Sequence, residues 1–430
     1  MRLSCLSPRR LAAVTLCLLG AFTSAALAQT VNINPNTTYQ TIRGFGGMNG
    51  AGWIPDLTPA QVETAFGNGS GQMGLSIMRM RIDPDRAKWP TQLPSAQRAR
   101  ALGATLFATP WTPPAAWKSN NSLINGGSLL SSRYGDYAGH LLSFASYMSS
   151  GNAALYAISL QNEPDYAPDY ESCRWTAGEF VNFLRSQGSR FNGIRVIAPE
   201  ALGFNKALSD PMLNDSTAVQ HVDIIGGHLY GTSPSDYPLA RSRGKELWMT
   251  EHFTDNTDAN NWTAAMPVAR ELHSSMVSNY SAYVWWYIRR SYGLLTEAGT
   301  ISKRGHVMAQ FAKHVRPGFV RIAATEKPHS DVFVTAYKNS AGRLVVVAIN
   351  TGTSQRRLVL TLQAGSARSI VKTRTTATHS NEFAGTYAVS GGRATAFVDP
   401  GSVNTFVSQK VRSAGRIPDL RRCGRKSERA

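Results

Sequence analysis

Two glutamates in this sequence stand where paired-carboxylate chemistry needs them. Glu163 closes the apolar run LYAISLQNEP (residues 155–164), and Glu251 comes late in ELWMTEHF (residues 246–253). Apolar runs without polar alternation suit parallel strands covered on both faces. The natural place for polar groups on such a strand is its C-terminal end. A carboxyl at one strand end can donate a proton while a carboxylate at another attacks carbon. With the two about 5 Å apart, this division of roles cleaves a glycosidic bond with retention. Ionised Glu251 would also disfavour ionisation of Glu163 and keep it protonated near neutral pH. A surface salt bridge could account for either glutamate alone; the same plan at two strand ends argues for a pair.

Other side chains could serve that pair. Arg79 and Arg81 lie two apart on one strand and face the same way. An arginine inside a barrel is costly unless it is paired, and Glu251 offers the partner, so Arg79 is expected to orient it. Tyr230 and His228 also share a face; Tyr230 could donate to Glu251, and His228 is either a site residue or a satisfied core histidine. Trp53, Trp111, Trp117, Trp285 and Trp286 fall in strand ends or strand-end loops, where aromatic faces could stack on sugar rings. Of these, Trp111 and Trp286 are the expected cleft residues. Arg289 and Arg290, with Ser291 and Tyr292 beside them, follow the last strand. A guanidinium fork matches a carboxylate, although a solvent-facing basic turn explains the pair as well.

The elements that must position these residues form a recognisable series. Apolar runs recur at residues 44–47 (GFGG), 75–82, 104–110, 155–160, 195–198, 222–229, 246–249 and 282–288. Helical signals lie between several of them, including a Thr58 cap with Pro59 at the first helical position and helical spacing over 134–148 and 176–187. Eight such alternations predict an α/β chain with a (β/α)8 TIM barrel over residues 44–316, which puts function at the strand C-termini. Past residue 317, short β-branched runs at 331–337, 344–350, 357–362, 369–373 and 395–398 predict a small β-sandwich over 317–410. Residues 31–39 alternate like an edge strand, and 29–43 are expected to join that sandwich.

Composition bounds the rest. The chain has 430 residues, 42% hydrophobic and 17% charged, a globular balance. Arg2, Arg9 and Arg10 precede an apolar run over 11–22 and the small residues Ala26-Leu27-Ala28. This reads as a secretory signal over 1–28, with an extracellular or periplasmic destination. No later run approaches the roughly 20 apolar residues of a membrane span. Cys5 and Cys17 fall within that leader, so only Cys173 and Cys423 could pair, across 250 residues, and no cysteine-based zinc spacing is present. The net charge is +18; the three leader arginines account for three, leaving +15. That balance favours an anionic partner, but no nucleic-acid-binding motif accompanies it. Residues 412–430 carry seven Lys/Arg against Asp419 and Glu428, and read as a basic, disordered tail.

The motifs together resemble a known family. Asn162-Glu163 on the fourth strand and Glu251 on the seventh are similar to the signature of retaining (β/α)8 glycoside hydrolases. GFGG, PWTPPAAWK (residues 110–118), QNEP, His228-Leu229-Tyr230 and the sandwich resemble glycoside hydrolase family 30. YVWWYIRRSYG (residues 283–293) and ISKRG (residues 301–305) narrow the resemblance to its bacterial glucuronoxylanase subfamily. The resemblance implies a retaining endo-β-1,4-xylanase acting on glucuronoxylan. Two carboxylates and water call for no cofactor, and no clustered His, Cys and Asp has metal spacing; a monomer with no metal, no nucleic acid and no membrane is expected. The resemblance makes Glu163 the acid/base, Glu251 the nucleophile and Asn162 the donor to the sugar 2-hydroxyl. It makes Arg290, assisted by Ser291 and Tyr292, the grip on the glucuronic acid branch. The subfamily tends to carry a tyrosine just after the nucleophile where this chain has Phe253, which would weaken dependence on that branch. Two other readings stay open: a family-30-like β-1,6-glucanase or glucosylceramidase, and a non-catalytic glycan-binding barrel.

Overall fold

The computed structural model describes residues 28–254, 256–363 and 367–410. The expected leader, apart from Ala28, the basic tail and Cys423 lie outside the described residues. Among the described residues Cys173 is a free, buried thiol, and burial pushes it up to about 12.

β1 (Gln29–Thr41) precedes the barrel. Eight parallel strands then close on themselves: β2 (Gly44–Met48), β3 (Ile77–Ile82), β4 (Thr105–Pro110), β5 (Ala157–Ser159), β6 (Arg195–Ala201), β7 (Ile224–His228), β8 (Glu246–Glu251) and β9 (Tyr280–Trp285). One helix follows each strand: α1 (Pro59–Phe66), α2 (Leu93–Ala101), α3 (Tyr134–Ser150), α4 (Ala177–Gln187), α5 (Lys206–Asn214), α6 (Pro238–Ser242), α7 (Trp262–Val277) and α8 (Lys303–Ala312). Local chemistry starts these helices where it should. Thr58 and Gln61 form a reciprocal capping box on α1, and Thr176 and Glu179 do the same on α4.

Inside the barrel, Ile77, Phe107, Ala157, Ile197, Ile224, Trp248, Ala282 and Val284 form one apolar plug. Phe107 meets Trp248 edge-on at 5.7 Å, which fills the interior towards its N-terminal end. A glycine is required at position 46, because a Cβ there would fall 1.9 Å from the Ile77 carbonyl oxygen. Two β-bulges lie where the inner walls turn polar. On β6 the register skips between Pro199 and Ala201, and on β8 it skips between Met249 and Glu251.

The C-terminal strands are β10 (Val320–Ala324), β11 (Val332–Lys338), β12 (Leu344–Asn350), β13 (Arg356–Leu362), β14 (Ala367–Thr375), β15 (Glu382–Ala388), β16 (Arg393–Val398) and β17 (Ser402–Lys410). With β1 they make a nine-stranded sheet in the order β15-β14-β17-β12-β11-β10-β1-β13-β16. Val346 of β12, Leu360 of β13 and Ala396 of β16 share one core although their strands are far apart in that order. The sheet therefore folds over into two layers. β1 is an interior strand, parallel to β13 and antiparallel to β10, and not the edge strand its alternation suggested. Its exposed Thr30 and Asn32 side chains face outward from a two-sided position. Buried Gln310 of α8 bonds Thr375 at 2.9 Å and Thr405 at 2.6 Å, tying barrel to sandwich.

Candidate functional site

β3 sends Ile77, Arg79 and Arg81 inward in period two. Arg79 has no solvent exposure, so its charge must be met by protein. It donates to Glu251, to Asn162 Oδ1 at 2.7 Å, to Glu200 Oε1 at 3.2 Å and to Thr109 Oγ1 at 3.3 Å. Its guanidinium also lies 4.7 Å from the centroid of the Trp111 ring. Arg81, the less favoured choice, is bound instead by Asp83 and Glu171.

Glu251 ends β8. Simple alternation from Trp248, which faces the barrel interior, would turn it outward; the bulge reverses that and aims it into the barrel mouth. Tyr230 Oη donates to Glu251 Oε1 at 2.8 Å, as its type and position suggested. Glu163 lies four residues past β5 with φ of 43°, a left-handed conformation unusual outside glycine. Its amide donates to the Glu200 carbonyl at 3.1 Å, and the preceding Asn162 amide to the Pro110 carbonyl at 2.9 Å. His228 belongs to the site: Nδ1 lies 2.9 Å from Glu163 Oε1. Its Nε2 makes no hydrogen bond, and stands 3.8 Å from Glu200 and 4.0 Å from Glu251.

These neighbours divide the carboxyls. Burial raises Glu163 above its ordinary 4.5, opposed by the His228 hydrogen bond and helped by the Glu251 charge. Burial is thus the larger cause, and the like-charge repulsion expected from sequence comes second among the raising effects. Burial would raise Glu200 as well, but the Arg79 charge, aided by His228, holds it down to about 2. Burial alone would lower His228; Glu251, Glu163 and Glu200 instead lift it to about 9. One carboxyl raised and one lowered, Glu163 at 2.9 Å and Glu200 at 3.8 Å from the same ring, are set apart in the direction acid-assisted chemistry needs.

Sequence reading missed Glu200 and Thr109, whose Oγ1 donates to Glu200 Oε2 at 2.9 Å. Glu200 has φ of 56° within the β6 bulge, so it points inward against the alternation set by Ile197. The signal available was a carboxylate at the polar end of the fifth barrel strand, in the same place as the other two.

Above the carboxyls opens a cleft of about 770 Å³ lined by Trp53, Trp111, Trp286, Tyr287, Tyr166 and Tyr170, among others. Trp53 meets Trp111 edge-on at 4.7 Å, and Trp286 lies 5.8 Å from Trp111. Trp285, its neighbour on the strand, is fully buried and faces away, and Trp117 packs on His140 instead of lining the cleft. Tyr287, unnoticed in the sequence, stacks on Trp286 at 4.1 Å with φ of 24°.

At one margin of the cleft, Phe253 stacks on Tyr292 at 4.7 Å and meets Tyr230 edge-on at 5.8 Å. Arg290 lies 5.7 Å from the Tyr287 ring centroid, beside Tyr292, whose hydroxyl burial pushes up. Its carboxylate neighbour is Glu297 at 3.6 Å, with the two side chains 41% and 55% exposed. So loose an exposed pair holds the guanidinium weakly. Ser291 is exposed in the same turn, its carbonyl accepting from Ala259 at 2.8 Å. Arg289 points elsewhere and donates to the Pro55 carbonyl at 2.8 Å.

Glu163, His228 and Glu251 place ligand atoms within 4.8 Å of one another, close enough for a metal ion. Arg79 donates into the same cluster and already supplies the positive charge there.

The chain was compared with known proteins. The model of glycosyl hydrolase family 59 matches residues 76–311, and that of the glycosyl hydrolase family 30 beta sandwich domain matches 318–406. The two name different families, and relatives spanning both domains decide between them. A Bacillus subtilis protein named glucuronoxylanase XynC is 44% identical over 90% of this chain and 93% of its own length. A crystal structure of a family 30 subfamily 8 xylanase from Clostridium acetobutylicum superimposes with TM-score 0.84 at 40% identity, covering 89% of this chain and all of that one. A family 30 endoxylanase from Clostridium papyrosolvens gives TM-score 0.81 at 38% identity, covering 88% and 100%. With barrel, sandwich and paired glutamates all accounted for, the chain belongs to glycoside hydrolase family 30.

Proposed function

We propose that the chain is a retaining endo-β-1,4-xylanase that cuts glucuronoxylan at positions directed by its (methyl)glucuronic acid branches. The observation that carries the mechanism is the separation of the two glutamates. One oxygen of each carboxyl lies within 4.8 Å of the other's, which supports the roughly 5 Å spacing of retaining enzymes over the about 6.5–9.5 Å of inverting ones. Glu163, kept protonated by burial, gives its proton to the glycosidic oxygen. Glu251, held by Arg79 and Tyr230, attacks the anomeric carbon and forms a glycosyl ester. Glu163, now a carboxylate, takes a proton from water, which displaces Glu251 and releases the sugar. Asn162, its oxygen committed to Arg79, has its amide N–H groups for the 2-hydroxyl of the attacked sugar, a bond that strengthens toward the transition state.

The substrate follows from the margin of the cleft and from the relatives' names. Trp111 and Trp286 offer apolar faces to the chain of sugars. Arg290, weakly held by Glu297, supplies the fork for a uronate, assisted by Tyr292 and Ser291. The Arg-flanked apolar run ahead of Ala26-Leu27-Ala28 supports export, with a mature chain beginning at Gln29; N-terminal sequencing of the exported protein tests this.

Digestion of 4-O-methylglucuronoxylan, unbranched xylan and arabinoxylan, followed by mass spectrometry, tests the activity. Products each bearing one uronate, with little cutting of the neutral polymers, are expected. Equal cutting of all three removes the uronate requirement, and no products from any removes the xylanase reading.

A further inference from the structure

Glu200 is the one carboxylate of the site that does not line the cleft: it is fully buried beneath it. It is closed off from the cleft, yet it joins both halves of the site. On one side it accepts from Arg79 at 3.2 Å and from Thr109 at 2.9 Å. On the other its Oε1 faces His228 Nε2 at 3.8 Å, the ring nitrogen without a hydrogen bond. The opposite ring nitrogen touches Glu163 at 2.9 Å.

We propose that Glu200 is a positioning residue for Glu163: its carboxylate keeps the His228 ring an imidazolium, so that Nδ1–H donates to Glu163 Oε1 and confines the acid's proton to its other oxygen. This rests on the reading of Glu163 as the acid. A neutral ring with a bare Nδ1 would accept that proton and divert it from the leaving group. Each element around the ring contributes to the balance. Arg79 reaches in from β3, Glu163 from the loop after β5, Glu200 from β6 and Glu251 from β8, while Tyr230 lies edge-on at 6.0 Å. With Glu163 carrying its proton, the Glu200 and Glu251 carboxylates against the one Arg79 guanidinium leave one positive charge wanting, which a protonated imidazole supplies. The lift of His228 to about 9 agrees with this. The bulge that turns Glu200 inward against strand alternation, with φ of 56°, is the structural cost of placing the third carboxyl there.

The test uses two substrates and one spectrum. Glu200→Gln keeps an amide oxygen for Arg79, removes the charge and turns the atom facing Thr109 from acceptor to donor, an exchange the Thr109 hydroxyl can meet by accepting. Its kcat/KM is measured on a uronate-branched xylo-oligosaccharide, whose leaving sugar needs protonation, and on the 2,4-dinitrophenyl glycoside of the same uronate-branched unit, whose leaving group does not. A well-placed general acid contributes about 10²-fold or more, so the natural bond should lose at least about tenfold more than the aryl bond. An equal loss on both substrates, or no loss on either, overturns the inference while leaving the functional reading intact. Wild-type protein inactive on both overturns the two together. Independently of any variant, nitrogen-15 spectra of histidine-labelled wild-type protein at pH 7 should show both His228 ring nitrogens protonated; one bare nitrogen overturns the inference.

Discussion

Replacing Arg79 by methionine should destabilise the barrel in a way that acid relieves. The side chain is fully buried and is the cation against which Glu200 and Glu251 are held. Removing one member of a buried charge pair costs about 3–5 kcal/mol. The Glu200 carboxyl gives an independent measure. Lowering it from 4.5 to about 2 corresponds to about 3 kcal/mol at roughly 1.4 kcal/mol per tenfold change in acidity. In the native protein that stability is fully present above pH 4.5 and is lost as pH falls from 4.5 towards 2. In the variant, burial acts without its main opponent and Glu200 titrates above 4.5. Folding then takes up a proton, so the variant gains stability as pH falls towards 4.5. Urea unfolding followed by tryptophan fluorescence at pH 7 and pH 5 measures the gap between the two proteins. It should be about 3–5 kcal/mol at pH 7 and at least about 1 kcal/mol smaller at pH 5. A gap equal at both pH values would refute the assignment of Arg79 as the counter-charge of ionised Glu200.

Arg290→Leu should lower kcat/KM on glucuronoxylan by about 10- to 100-fold, the loss of one charged hydrogen-bonded fork, with little change on unbranched xylan; an equal loss on both polymers would make Arg290 structural. Phe253→Tyr adds a hydroxyl beside Tyr292 and should raise glucuronoxylan activity up to about fivefold, the equivalent of a hydrogen bond of about 1 kcal/mol; an unchanged rate would show that no uronate oxygen comes within reach. Tyr230→Phe deletes the 2.8 Å bond to Glu251 and should lower kcat by about tenfold with KM little altered, measured on the same substrate; a change in KM alone would assign Tyr230 to binding.

How far the sequence could be read depended on whether a side chain obeyed its strand's alternation. Arg79 does, sharing the inward row of β3 with Ile77, so its pairing with Glu251 was legible from residue spacing and charge. Tyr230 and the Trp111 and Trp286 faces followed from position at strand ends. Glu251 was legible as the end of an apolar run, but its inward aim depends on a bulge that composition does not announce. Glu200 depends on the same device one strand pair earlier, and without a neighbouring motif it stayed hidden. In the sandwich, β10, β15 and β17 escaped notice. Exposed, alternating β15 buries none of its side chains fully, and β17 carries buried polar residues on both faces: Thr405 at the join with the barrel, and Ser402 and Asn404 bonded within the sandwich. Polar groups buried between two domains read as surface in a sequence. The same reasoning explains β1, whose outward polar row looks like an edge while both its backbone sides are paired.

The central claim, that Glu251 attacks carbon while Glu163 manages the proton, is most directly tested by trapping. A 2-fluoro uronate-branched xylobiosyl fluoride slows both steps and lets the glycosyl ester accumulate. Peptide mass spectrometry of the inactivated protein should find the sugar on the peptide containing Glu251, with none on Glu163. An adduct on Glu163, or an unmodified protein that releases product with inverted anomeric configuration, would contradict the account.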